Sequence, residues 1–372
     1  MKKSLFFLLA LLLAQTPALA QHSHEHGRVI TFPDIPGYQT LLCDFHIHTV
    51  FSDGSVWPNI RVQEAIRDGL DAISLTEHLE YQPHINDIPH PDRNRSHHIA
   101  TEVAEGHDLI VIQGAEVTRD MPPGHSNAIF ITDANKLMMD DPFDVFREVK
   151  RQGGFVFWDH PNWTAQRADG VATLTDMHRQ LIEEGLLHGI EVVNDHTYSD
   201  EALAIAYAHN LTVVGTSDIH GLVDWQYEVP EGGHRPLMLV FAEERSEAGI
   251  KAAMQTGRTA AYYRNQLIGK GAYLVPLLEA SLVVEEAWYG GDATVLSVVL
   301  KNNSDMPMML KNTTDYTLHN STGIVQVPAH HEETVQVKTV ERVRELSLTF
   351  EVLNAITAPS TTAHIEIPVT VE

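Results

Sequence analysis

Apolar and polar residues alternate in two rhythms along this chain of 372 residues. From about residue 35 to 272, short apolar runs are separated by helix-like stretches. The runs predict strands over residues 41–45, 71–76, 109–115, 127–132, 155–158, 189–193 and 212–216. Between them lie helix signals. Asp141-Pro142 supplies an N-cap and a first-turn proline, and Gly153 supplies a stop. Ser199 caps a second helix running to Asn210, and Ser246 a third running to Gly257. Strand–helix alternation over this length predicts a parallel sheet, open or closed into a barrel. One unit is irregular, because only a Pro-Pro-Gly loop separates the third and fourth strands.

Past residue 275 the rhythm changes to period two. Ile365, Ile367, Val369 and Val371 alternate with Glu366, Pro368, Thr370 and Glu372. Leu346, Leu348, Phe350 and Val352 alternate in the same way with Ser347, Thr349 and Glu351. Such runs, spaced by turn residues, predict a small all-β sandwich over residues 275–372. His330 and His331 follow no metal spacing there and are assigned to the surface.

The start of the chain is different again. Lys2 and Lys3 precede a nine-residue apolar run, Leu5 to Leu13, and Ala18-Leu19-Ala20 ends in small residues. Residues 1–20 therefore fit a cleaved secretory signal, with residues 21–34 as an N-terminal tail. The apolar run is shorter than the ~20 residues a bilayer span needs. The expectation is an exported protein, periplasmic or secreted, with no membrane span. Cleavage lowers Lys+Arg from 25 to 23 against 50 Asp+Glu, taking the formal charge from −25 to −27. So acidic a chain repels phosphate backbones, and no strong nucleic-acid binding is expected. The single cysteine, Cys43, excludes an intrachain disulfide and fits a small buried strand residue.

The histidines change the picture. "CDFHIHTVFSDG" places His46 and His48 two apart at a strand end, with Asp53 on the turn that follows. Residues two apart in a strand face one side. Other predicted strands end or begin with the same chemistry: His78 in "SLTEHLE", Glu116 in "VIQGAEV", His125 in "GHSNAIF", His160 in "FWDHPNW", and Asp218 with His220 in "GTSDIHG". At the C-terminal ends of barrel strands such residues converge on one face. Imidazoles with carboxylates suit Zn, Fe or Mn. Nine ligands fit two or three divalent ions, with a carboxylate bridging a pair. A packing role for His188, His209 or His234 is expected. For six histidines and three acids at consecutive strand ends it is not, because so many charges in one cleft would be costly to desolvate.

In this order, H-x-H-T with S-D-G, T-[D/E]-H, G-x-E, an isolated His, D-H-P and D-x-H resemble the motifs of the PHP (polymerase and histidinol phosphatase) domain family over roughly residues 40–270. Within it, the chain looks closest to exported bacterial members with a C-terminal β domain. The resemblance implies a distorted (β/α)7 barrel over residues 35–272, followed by an Ig-like sandwich. It implies a trinuclear centre: His46, His48, Glu116 and Asp218 on one ion, His125 and His160 on a second bridged by Glu116, and Asp53, His78 and His220 on a third. Some relatives carry His in place of Asp53. Glu77, often Asp in the family, is either a support for the ligands or a surface residue.

The resemblance further implies a metal-dependent phosphoesterase in which a metal-activated hydroxide attacks the phosphate ester of a small phosphorylated substrate. Arg119 and Arg258 are candidates for gripping the phosphate, as are Arg93 and Arg95. Asn194 and His196 could line the pocket. Trp57, Trp158, Trp163 and Trp225 either shape its walls or pack elsewhere. Monoester against diester preference and oligomeric state are left open. Two rival classes stay open as well. One is a metal-dependent hydrolase of C–N or C–O bonds, which a shortage of arginines in the cleft would favour. The other is a binding protein with structural metals in filled coordination spheres, its β domain docking a partner or glycan.

Overall fold

All seven runs form strands in the computed structural model, which describes residues 29–371. They are β1 (Gln39–Ile47), β2 (Ala72–Leu75), β3 (Ile110–Val117), β4 (Ser126–Ile129), β5 (Phe155–Trp158), β6 (Gly189–Asn194) and, after a two-residue β7 (Thr197–Tyr198), β8 (Thr212–Thr216). Helices α1 (Pro58–Asp68), α2 (Arg95–Ala104), α3 (Pro142–Arg151), α4 (Asp176–Glu183) and α5 (Asp200–Ala208) alternate with them, followed by a one-turn α6 (Val223–Gln226) and α7 (Glu247–Gln255). The caps act as expected: Asp141 accepts from Phe143 N, Ser199 from Ala202 N and Ser246 from Gly249 N. The predicted leader and residues 21–28 of the predicted tail lie outside the described residues.

The sheet is mixed rather than parallel, which corrects the expectation from alternation. β1, β2 and β3 run parallel, and so do β5, β6 and β8. β4 runs antiparallel to both its neighbours, β3 and β5. The connection from β3 to β4 spans only residues 118–125, too short for the dozen or more residues that a parallel crossover needs. This reversal serves the site. It brings the N-terminal end of β4, with His125, beside the C-terminal ends of β3 and β5. From β1 to β8 the strands follow one another, and beyond β8 an isolated parallel bridge joins Ile219 to Ile47.

Three further strands escape the alternation pattern: β9 (Leu237–Ala242), β10 (Thr259–Tyr263) and β11 (Gln266–Gly269). They add to the other edge of β1 as an antiparallel run. Helix α8 (Gly271–Ser281) follows and leads into β12 (Leu282–Tyr289). The remaining strands are β13 (Val295–Asn302), β14 (Met308–Asn312), β15 (Thr317–Leu318), β16 (Ile324–Val327), β17 (Glu332–Lys338), β18 (Glu345–Ala358) and β19 (Thr361–Thr370). One sheet is ordered β12-β13-β17-β15 and the other carries β16-β14-β18-β19. Their inner faces bury Leu296, Val298, Leu300, Val335 and Val337 against Leu310, Phe350, Val352, Ile365 and Ile367. The period-two expectation therefore holds: alternate residues of β19 are buried and exposed along its length.

The second sheet does not stop at the sandwich. β11 pairs with β18 in parallel, Leu267 with Ala355 and Ile268 with Ile356. The Asn354 side-chain amide donates to the carbonyls of Asn265 and Pro307, each at 2.7 Å. Leu267, Leu274 and Leu277 share one apolar cluster with the sandwich interior. Among the described residues no helix is long and apolar enough to cross a membrane.

Two buried histidines show what packing does to imidazole here. His188 Nδ1 accepts from Val156 N at 3.0 Å. His178, in the first turn of α4, accepts from Thr175 Oγ1 at 2.8 Å through Nδ1 and donates to Pro123 O at 2.7 Å through Nε2. It stacks on the buried Trp158 ring at 4.0 Å. His178 thus fastens the Pro-Pro-Gly loop that presents His125. Burial pushes its pKa down to about 4. Above pH ~6.5 it is neutral folded and unfolded alike. Between ~6.5 and about 4 only the unfolded chain takes up the proton, so stability is lost as pH falls, by up to ~1.4 kcal/mol per pH unit. Urea melts of the metal-free protein at pH 7, 6 and 5 should therefore show a steeper decline for wild type than for His178→Gln. Equal slopes would mean that His178 does not titrate between these states. By contrast, His209 is exposed at the end of α5, which corrects the packing role expected for it.

Candidate metal centre

Eight of the nine candidate ligands converge on the ninth, Glu116, or stand beside one that does. Glu116 is fully buried near the end of β3. Its Oε1 lies 2.5 Å from His125 Nδ1 and 3.8 Å from His160 Nε2. Its Oε2 lies 2.7 Å from His78 Nδ1, 3.4 Å from His48 Nε2 and 3.6 Å from His46 Nε2. Neither oxygen has a partner in hydrogen-bond geometry. One carboxylate thus faces two groups of imidazoles through its two oxygens. Asp218 Oδ1 sits 3.2 Å from His46 Nε2 and 3.1 Å from His48 Nε2, and these two nitrogens are themselves 3.1 Å apart. Asp53 Oδ1 gathers the remainder, at 3.1 Å from His220 Nε2, 3.4 Å from His78 Nε2 and 3.7 Å from His48 Nδ1.

Sets of donor atoms within ion-holding distance follow from this: His46, His48 and Glu116; His78, Glu116 and His125; and His48, Asp53, His78 and His220. His48 and His78 each belong to two sets, so the three groups implied by the resemblance overlap in this arrangement. The donors fit divalent ions well. Buried acceptor atoms of Glu116, Asp53 and Asp218 lack protein partners, as do the Nδ1 atoms of His125 and His160. Such atoms cost free energy unless something satisfies them.

The electrostatics of the bare cluster show the same demand. Burial works against a cation at His46, yet Asp218, Glu191 and Asp159 hold its pKa well above the ordinary value. Burial, reinforced by His220 and His78, pushes His48 down to about 3. His78 also resists burial: Glu116 and Asp53 raise it to about 11. Burial opposes the Glu116 charge, but the surrounding imidazoles hold its carboxyl well below the usual range. Without ions, the cluster must take up protons to balance its carboxylates.

Backbone conformation aims these side chains. His160 (φ 29°), Asp195 (φ 47°) and Asp218 (φ 49°) all adopt the left-handed region just past β5, β6 and β8. Three such residues at three neighbouring strand ends hold strain where the chain turns into the site. Gly54 follows Asp53 for a related reason, because a Cβ there would come within 2.8 Å of the His48 carbonyl carbon.

Supporting residues that the sequence did not announce complete the centre. Glu191, buried in β6, accepts from His46 Nδ1 at 2.8 Å and from Thr216 Oγ1 at 2.5 Å. Its other oxygen accepts from His160 N at 2.7 Å and Asn194 Nδ2 at 2.8 Å. This fixes His46 with Nε2 toward Glu116, the usual way a carboxylate orients a ligating histidine. The available signal was an acid inside the apolar run "GIEVVN". Glu191→Gln should leave the fold intact and weaken metal affinity by ~10–100-fold, read by competition with a chromophoric chelator. Glu77 is buried and is a support, not a surface residue: it accepts from Thr49 N and from Ser52 Oγ at 2.6 Å, and Ser52 Oγ in turn meets His48 Nδ1 at 3.2 Å. Arg61 of α1 is fully buried beneath the site. It donates to the carbonyls of His48 (2.9 Å), Gly221 (2.7 Å) and Ile219 (3.1 Å), and to Glu64 Oε2 (2.8 Å).

Above the centre opens a cavity of about 420 Å³. Asp53, His78, Glu116, His125, His160, Asp218 and His220 form its floor, while His46 and His48 lie below. Asn162, Trp163, Asn194 and Gln226 are among its walls. No Lys or Arg lines it among the described residues, which corrects two expectations. Arg119 pairs with Glu80 at 2.9 Å and donates to the carbonyls of Met139 and Asp140. Arg258 lies over the Tyr38 ring and donates to Phe241 O. Arg119 stands between two candidate ligands in sequence and Arg258 near the end of the barrel domain, but both side chains turn into other contacts. Arg93 and Arg95 are likewise absent from the walls. His196 lines an adjoining cavity that shares Gln226. Of the tryptophans, Trp163 is a wall, Trp158 is core, and Trp57 and Trp225 are exposed elsewhere.

Acids and imidazoles drawn together at the strand ends of an α/β sheet define the class: an α/β protein with clustered donors that could hold divalent cations, and a cavity over them. Comparison with solved structures narrows this. A two-domain protein from Bacteroides vulgatus, containing a predicted PHP-like metal-dependent phosphoesterase, is 43% identical. The likeness covers 92% of this chain and 99% of that one, with a TM-score of 0.86. The chain belongs to this PHP-like family. Residues 282–368 match the Ig-like domain family. A candidate metal-dependent phosphoesterase from Bifidobacterium adolescentis is 20% identical over 48% of this chain and 87% of that one, with a TM-score of 0.37. An amidohydrolase from Chromobacterium violaceum, with bound sulfate and no metal, is 15% identical over the same shares, with a TM-score of 0.35. Both are too distant to carry an argument. No curated protein matches.

Proposed function

We propose that the chain is an exported, metal-dependent phosphoesterase working at a centre of two or three divalent ions. The observation that carries this reading is the Glu116 carboxylate, buried and ringed by five imidazoles, with both oxygens free of hydrogen bonds. His46, His48, Glu116 and Asp218 would hold one ion, Glu116, His125 and His160 a second, and Asp53, His78 and His220 a third. When bound, the ions would supply Lewis-acid charge for phosphoryl oxygens and for activation of water. The protein's own part is positioning. Glu191 and Ser52 fix the rings of His46 and His48. His220 donates through Nδ1 to Asp218 O at 2.7 Å, leaving Nε2 for the centre. Asn194 steadies Asp218, with Nδ2 at 3.3 Å from Oδ2. The open cavity floor favours a catalytic over a purely structural role. Export rests on the leader at residues 1–20, and the strand ring joined at Ile47 and Ile219 is read as the distorted seven-stranded barrel.

A second reading keeps one observation in its favour. The cleft lacks lysine and arginine, which suits hydrolysis of a C–N or C–O bond. The test is turnover of p-nitrophenyl phosphate, its bis-ester and p-nitrophenyl acetate by the Mn- or Zn-loaded mature chain, beside a His46→Ala control. Metal-dependent cleavage of either phosphate ester, lost in the control, supports the proposal and separates monoester from diester preference. Cleavage of the acetate alone would replace it with the second reading.

A further inference from the structure

We infer that the group esterified to the phosphate is an uncharged, polyhydroxylated unit of the carbohydrate kind, seated on Trp163 against the Asn162, Asp195 and Gln226 wall. The inference names a substrate class for the site above and rests on that reading for the bond cleaved.

The walls argue from what they hold. Trp163 lies three residues beyond His160, with its ring 5.0 Å from His160 and 5.6 Å from His125. It remains 44% exposed at the rim, so a broad aromatic face stands open beside the centre. Asp195 lines the same cavity and is held in place. Its Oδ1 accepts from Gln226 Nε2 at 2.8 Å and from Tyr227 OH at 3.1 Å. Its backbone is held in the left-handed region. No hydrogen bond among the described residues uses Asp195 Oδ2, Gln226 Oε1, the Asn162 amide or the Trp163 indole N–H. Fixed acceptors and amides with spare capacity, beside one ring face, match a ligand presenting vicinal hydroxyls on its edge and C–H groups on its face.

The same walls argue against the other common esters. A nucleoside di- or triphosphate brings further negative charge, and Asp195 would repel it with no cavity Lys or Arg to offset the cost. Arg264 lines the adjoining cavity, which shares Gln226 with this one. A lone aliphatic group would leave the polar wall unsatisfied. The step itself is ordinary hydrolysis: water's oxygen bonds to phosphorus, the bond from phosphorus to the sugar oxygen breaks, and that oxygen leaves with a proton from the water.

The test has two arms on the full mature chain. In the first, kcat/KM of the metal-loaded protein is compared for glucose 1-phosphate, methyl phosphate and ADP, with Trp163→Ala and Asp195→Asn beside wild type. The expectation is preference for glucose 1-phosphate. Each variant should lose about tenfold more on it than on methyl phosphate, mainly in KM. In the second, saturation-transfer NMR follows methyl α-glucoside on the metal-free protein, which needs no catalysis. Transfer in wild type that disappears in Trp163→Ala supports the inference even if no phosphate ester is cleaved, in which case the phosphoesterase reading alone fails. If phosphate esters are cleaved but the glucoside shows no transfer, or ADP is preferred, the carbohydrate inference is overturned and the phosphoesterase reading stands.

Discussion

Glu116→Gln is expected to reduce kcat/KM by at least ~10²–10³-fold, the usual cost of removing one preorganised electrostatic group from an active site. The variant keeps the size and burial of the native side chain, so packing in β3 should be unaffected. What changes is the chemistry of one oxygen. A carboxylate offers acceptors to His125 and His160 on one side and to His46, His48 and His78 on the other. An amide must turn a donor toward one of those groups, and two neighbouring cations can no longer share it. Metal analysis of the purified variant should therefore show at least one ion fewer per chain than wild type. Full metal content with unchanged kcat/KM would remove Glu116 from the centre of the account.

Loss of Arg61 should be the most damaging change that touches no ligand. Its guanidinium joins the His48 carbonyl to those of Ile219 and Gly221, so it ties the end of β1, with His46 and His48, to the loop carrying Asp218 and His220. Arg61→Met leaves the His48 and Gly221 carbonyls without their donor, Ile219 O keeping His48 N at 3.1 Å, and strands Glu64, itself nearly buried and still bonded to Val223 N at 2.9 Å. Breaking a buried pair from one side costs ~3–5 kcal/mol. Lysine is no remedy, because one ammonium cannot reproduce a planar fork that reaches four acceptors. Urea titration should show the loss in both Arg61→Met and Arg61→Lys. Arg61→Met with Glu64→Leu should regain much of the stability yet still bind metal ~10–100-fold more weakly, since the guanidinium link between the two segments stays lost and only their backbone and Ser55 contacts remain. Recovery of both properties together would mean that Arg61 acts only through the fold.

The candidate ligands were legible in the sequence because each sits at a strand end or on the turn just beyond it, where a two-residue period and a turn signal fix its direction from local information alone. His46, His48, Asp53, His78, Glu116, His125, His160, Asp218 and His220 all carry that mark. Arg61 and Glu191 do not. An arginine in an amphipathic helix and a single acid in an apolar run acquire their roles only when β1, β6 and β8 are brought together. Arg119 and Arg258 show the reverse error: closeness along the chain to a ligand or to the end of a domain does not say where a long side chain turns. In the fold, periodicity found the strands but not their direction. The reversal of β4 lay in the length of one loop, and the β9–β11 run lay outside the strand–helix repeat.

The pairing of β11 with β18 has a consequence for anyone treating the N-terminal half as a portable module. Severing the chain after α8 would strip a partner from β11 and leave a row of backbone donors and acceptors open beside Leu267 and Ile268, both almost fully buried in the intact molecule. Such a bare flank recruits strands from other molecules. The C-terminal sandwich is in this sense a built-in chaperone for the half that carries the candidate metal centre: it occupies a surface that would otherwise make the isolated half stick to copies of itself.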